Sequence, residues 1–89
     1  YVEAGADIIE TNTFGSNRIK LSHYGLEDKV EELTVAGVKL AKEVAGNRTL
    51  VALSVGPTGV FVEPVGDYSF DELVDVFKEQ MKAGAEAGA

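Results

Sequence analysis

Two short apolar runs, each ending in a loop of hydroxyl, amide and glycine residues, constrain this chain most. The first is Asp7-Ile8-Ile9-Glu10-Thr11, followed by Asn12-Thr13-Phe14-Gly15. The second is Leu50-Val51-Ala52-Leu53-Ser54-Val55, followed by Gly56-Pro57-Thr58-Gly59. Their length and flanking turn formers predict strands. The adjacent isoleucines, and the almost unbroken second run, predict burial on both faces, as in a parallel sheet. Helical sequence lies between them, and a helical crossover joins strands that run parallel.

That intervening sequence predicts two helices. Ser16 is the expected cap of a short helix over Asn17 to Tyr24, stopped by Gly25. A longer helix is expected from about Glu27 to Ala45, with Gly46 past its end. Its expected buried face is Val30, Leu33, Gly37, Leu40, Ala41 and Val44, at helical spacing. After an extended loop over Val60 to Asp67, Ser69-Phe70-Asp71-Glu72 reads as a capping box. The helix it opens should reach about Ala83 or Ala85. Phe70, Leu73, Val74, Phe77 and Met81 form its expected buried stripe. Tyr1 to Ala6 reads as a helix tail with Gly5 at its cap. Glu3-Ala4-Gly5-Ala6 recurs as Glu86-Ala87-Gly88-Ala89. If the first copy joins a helix to a strand, another strand is expected after the second.

Strands alternating with helical stretches define an α/β protein with parallel strands. A complete eightfold βα barrel takes roughly 250 residues, or about 31 per unit. The 89 residues thus amount to about three units, so a segment of a larger α/β domain is expected. A doubly wound sheet of the same βα order is the alternative.

Composition removes several classes of function. Eight Lys and Arg against fifteen Asp and Glu give a net charge of −7. That disfavours a nucleic-acid partner, which needs a cationic face, and an anionic membrane surface. The chain has no cysteine, so it brings no thiolate ligand and no disulfide. The acidic balance suits a cytoplasmic protein.

In either α/β architecture, ligands gather at the C-terminal strand ends. The candidate residues are therefore those of the two loops. Their alternative role is to satisfy loop backbone groups and make turns. Gly56 to Gly59 matches neither a dinucleotide fingerprint nor a P-loop. A phosphate site there is a weaker alternative, because no basic residue adjoins the turn in sequence. His23, the single histidine, reads as a surface residue, and Glu10 as a solvated or paired carboxylate. The acidic run Glu27, Asp28, Glu31 and Glu32 is explained by the dipole at a helix start.

Gly5 to Gly15 resembles the second strand and loop of the homocysteine S-methyltransferase barrel. Tyr24-Gly25-Leu26-Glu27-Asp28-Lys29-Val30 resembles the helix junction that follows, and Val55-Gly56-Pro57-Thr58-Gly59 the third strand end. The resemblance spans essentially the whole chain and is strongest to the cobalamin-dependent branch. It implies a (β/α)8 barrel, of which residues 1–89 would be a part around strands two and three, truncated at both ends. It also implies a zinc ion held by three cysteines on later strands, homocysteine as substrate and methylcobalamin as methyl donor. Methionine would be the product, and cobalamin- and folate-binding domains the partners. By position, Asn12, Thr13 and Phe14 would face the homocysteine pocket, with Gly56 and Pro57 shaping its rim. Thr13 is the leading candidate for a hydroxyl bond to the polar end of the substrate. No catalytic or metal-binding residue is expected within the chain, which alone should be inactive. The competing reading is a non-catalytic α/β piece that associates through its open strand edges.

Overall fold

The computed structural model describes residues 1–89. Its elements are β1 (Ile8–Glu10), α1 (Arg18–Ser22), α2 (Val30–Ala45), β2 (Leu50–Ala52) and α3 (Phe70–Glu86). A 3₁₀ turn, Glu27–Lys29, leads into α2. The two strands pair in parallel, with Ile8 opposite Leu50, Ile9 opposite Val51 and Glu10 opposite Ala52. Backbone bonds from Leu50 N–H to Asp7 and from Thr11 N–H to Ala52, both 2.9 Å, extend the ladder at its two ends. The chain is thus α/β, with a parallel two-stranded sheet and three helices, as expected.

The helix termini follow local chemistry. Both bonds of the Ser69/Glu72 capping box form, each at 3.1 Å. The expected Ser16 cap is corrected: Asn17 caps α1 by accepting the Lys20 amide at 2.9 Å. The Ser16 hydroxyl instead points inward. Gly46 ends α2 at φ 62°, and its amide bonds Lys42. The repeated tetrapeptide makes the same cap twice. Ala6 N–H bonds Tyr1 and Gly5 N–H bonds Val2; Ala89 N–H bonds Gly84 and Gly88 N–H bonds Ala85. Both are Schellman motifs, in which a left-handed glycine closes the last helical turn. Gly5 and Gly88 supply the required φ, at 97° and 108°.

Packing departs from the expected stripes. The residues of α2 that are buried are Val30, Thr34, Val38 and Ala45. Those of α3 are Val76, Gln80, Ala83 and Gly84. The larger apolar side chains look outward: Leu40 is 66% exposed, Val44 65%, Phe70 71% and Met81 52%. Small residues permit the close approach of helices to sheet. A Cβ on Gly84 would lie 2.5 Å from a Leu53 methyl, and one on Gly37 2.6 Å from the Thr13 methyl. Burial of both sheet faces is likewise corrected. Alternation along a strand places Ile9 on the helix side and Ile8 and Leu50 on the other. No element of the chain covers that second side, and Ile8 and Leu50 are exposed. The body is correspondingly long, 46 × 22 × 20 Å. No helix is long and apolar enough to cross a membrane.

Candidate functional site at the strand ends

The loops after β1 and β2 emerge side by side because the strands are parallel neighbours. A hydroxyl relay ties them together. Thr13 donates its only hydroxyl proton to the Ser54 carbonyl at 2.8 Å. The Thr11 hydroxyl therefore donates to Thr13 at 2.6 Å, while accepting the Ser54 amide at 3.1 Å. Both threonines are buried.

A second layer clamps the first loop to the helices. The Thr13 carbonyl accepts from the Ser16 amide at 3.1 Å, the Ser16 hydroxyl at 3.0 Å and Gln80 Nε2 at 2.7 Å. With its proton so placed, Ser16 Oγ accepts from the Thr34 hydroxyl at 2.9 Å and from Gln80 Nε2 at 3.0 Å. A carbonyl can only accept, so the bond to Thr13 fixes which end of the Gln80 amide is nitrogen. Gln80 and Asn17 are wholly buried. Gln80 Oε1 and Asn17 Nδ2 find no partner in the chain.

The loops meet at Phe14 and Gly56. The Gly56 amide donates to the Phe14 carbonyl at 3.0 Å. A Cβ at Gly56 would sit 2.6 Å from that oxygen and 2.8 Å from two Phe14 ring carbons, so the approach requires glycine. Asn12, Phe14 and Pro57 are exposed around this junction, and Gly56 is buried beneath it. The structure thus brings all five expected residues to one end of the sheet. Thr13 points inward there, 2% exposed, with its hydroxyl committed to Thr11 and Ser54.

Lys20 escaped the sequence reading. A Cβ on Gly59 would lie 2.9 Å from its Nζ, so the ammonium rests on the second loop. Nothing local in the sequence marks that approach across the fold. Glu10 is exposed beside the strand end, and His23 is exposed on the outer turn after α1.

A charged cluster around Arg18 lies away from this junction. Hydrogen bonding to Glu79 raises the Arg18 pKa above its ordinary value, helped by the charges of Glu79 and Asp28 and opposed by partial burial. The Arg18 guanidinium binds both Glu79 oxygens, at 3.0 and 2.7 Å. No three His, Cys, Asp or Glu side chains converge to hold a metal.

A parallel βα unit whose strand-end loops are locked into a polar rim defines an α/β protein of the kind that places ligands at that end of the sheet. A family model described as homocysteine S-methyltransferase matches residues 1–89. The chain belongs to the homocysteine S-methyltransferase family.

Proposed function

We propose that these residues form strands two and three of a (β/α)8 barrel and contribute two loops to a homocysteine pocket. The whole enzyme would move a methyl group to the homocysteine sulfur, giving methionine. The carrying observation is the Phe14–Gly56 bond between the strand-end loops, in a chain matched throughout by that family. Asn12 offers an exposed amide to the substrate, and Phe14 an apolar wall that excludes water. Gly56 and Pro57 shape the rim. Thr13 acts from behind, holding the loop backbone that presents its two neighbours.

The side chains here do not fit zinc, since no ligating group converges and cysteine is absent. Zinc in this reading is held by residues outside the chain, and no step is derived through it. A methionine synthase-like parent, charged from methylcobalamin and served by cobalamin- and folate-binding domains in the cytoplasm, is the particular form we favour. The chain alone should make no methionine.

Titration with L-homocysteine, followed by amide NMR, tests the pocket. Saturable shifts at Asn12, Phe14 and Gly56, lost in Phe14→Ala, are expected. Unmoved amides at all three positions would sink the assignment. Self-association is the second reading, favoured by the exposure of Ile8 and Leu50 at 59% and 68%. Sedimentation across a concentration series tests it: a mass that stays at 9.4 kDa removes it.

A further inference from the structure

We propose that the turn Thr58–Gly59–Val60, with Lys20 over it, is a binding site for an oxyanion, either a carboxylate or a phosphate. The sequence argument against an anion here was that no basic residue adjoins the turn. The fold supplies one from α1. Lys20 Nζ would lie 2.9 Å, and Cε 3.3 Å, from a Cβ at Gly59. The lysine is half-buried and takes no part in the three ion pairs of the chain, which are Arg18–Asp28, Arg18–Glu79 and Lys29–Glu32. An ammonium partly withdrawn from water without a counter-charge favours an anion beside it.

The turn offers matching donors. No backbone carbonyl of the chain receives the amides of Thr58, Gly59 or Val60. Gly59 adopts φ +84°, and left-handed residues in turns help build the amide concavities that take anions. Thr58 is 5% exposed, and its hydroxyl enters none of the side-chain bonds that organise the neighbouring loops. An oxyanion beside the ammonium would have the turn amides and this hydroxyl as its nearest candidate donors. The same turn begins at Gly56, so the anion would sit at the rim of the Phe14 junction.

The proposal does not rest on the homocysteine reading. Its test is amide NMR of the whole chain and of two variants, Lys20→Gln and Lys20→Arg, titrated separately with inorganic phosphate, acetate and L-homocysteine. Phosphate or acetate should shift the Thr58, Gly59 and Val60 amides saturably. Removing the charge-assisted contact should weaken binding about tenfold in Lys20→Gln, while Lys20→Arg stays within about twofold. If homocysteine moves these amides and phosphate competes with it, the anion is the carboxylate of the amino acid. If phosphate moves them and homocysteine does not, the ligand is a separate phosphate. Either result supports the site. Unmoved turn amides with both phosphate and acetate, or unchanged affinity in Lys20→Gln, overturn it. Failure of homocysteine to move Asn12 and Phe14 counts against the pocket alone and leaves the phosphate comparison intact.

Discussion

Gly56→Ala should be among the most damaging single-methyl additions to this chain, and the backbone rather than the aromatic ring should be the reason. The added Cβ would stand 2.6 Å from the Phe14 carbonyl oxygen, well inside ordinary van der Waals contact, and 2.8 Å from two ring carbons. The ring is 58% exposed and can swing into solvent. The carbonyl cannot, since it accepts the Gly56 amide and follows Thr13, whose own carbonyl is clamped by Ser16 and Gln80. Overpacking of this kind costs about 1–3 kcal/mol, and loosening the Phe14–Gly56 bond adds about 1 kcal/mol. A loss of about 2–4 kcal/mol is expected. A chain of this length is stabilised by only about 4–13 kcal/mol. Urea unfolding at several concentrations gives the loss, with an unchanged slope showing that the folded state is retained. A double-mutant cycle with Phe14→Ala then separates ring from carbonyl. If the backbone is the obstacle, Gly56→Ala costs nearly as much in the Phe14→Ala background. A rescue of more than half the loss would refute this reasoning and make the ring the obstacle.

Other substitutions probe the rest of the frame. Gln80→Ala should cost about 2–4 kcal/mol by opening a cavity. Gln80→Leu should cost about 1 kcal/mol, because it gives up two donated bonds but also removes the unpartnered Oε1; equal losses on thermal unfolding would contradict this. Ser69→Ala should destabilise by about 1 kcal/mol through loss of the cap, seen as a lowered urea midpoint. Met81→Lys should stay within about 0.5 kcal/mol of the parent chain, whereas Val38→Ala should cost about 2 kcal/mol; the reverse order would restore the stripes read from sequence. Arg18→Met should leave the pH profile of stability unchanged through the neutral range. A raised guanidinium pKa contributes fully below its ordinary value and is lost only above it, so a new neutral transition would contradict the assignment.

Elements were legible in the sequence where local chemistry decides them. The capping box at Ser69 and the glycine stops at Gly5, Gly25 and Gly46 fall where expected, and the two apolar runs pair in parallel. Burial was not legible, because periodicity identifies an apolar face without saying what covers it. On α2 and α3 the bulkiest side chains dominate that pattern, yet they remain exposed, and Leu40 and Val44 border Ile9 beside β1 without being covered. The faces that do pack carry Thr34, Gln80, Ala83 and Gly84, residues that an apolar pattern passes over. The five candidate residues lie together because strand ends are where loops converge. The orientation of Thr13 was not legible, since a hydroxyl that bonds Ser54 across the fold looks the same in sequence as one free for a ligand. Lys20 lay beyond reach for a similar reason: its contact with Gly59 exists only once α1 folds back over the second loop.

The polar frame beneath the rim does more than stabilise. A cluster of hydroxyls and one amide, buried among Thr11, Thr13, Ser16, Thr34 and Gln80, gains little net free energy over an apolar core of the same shape. Two of its neighbouring polar atoms have no partner at all, which offsets part of that gain. What directional bonds add is position. Each fixes an oxygen to within the tolerance of a hydrogen bond, and together they join β1, β2, α2 and α3 at one point. The Phe14 carbonyl and Gly56 amide inherit that fixed placement, while Asn12, Phe14 and Pro57 above them remain exposed. Exposed groups set on a rigid base in this way would lose less entropy on meeting a ligand than groups on a loose loop. The exposed rim positions Asn12, Phe14 and Pro57 are therefore where side chains can change without unsettling the frame, whereas Gly56 beneath them cannot.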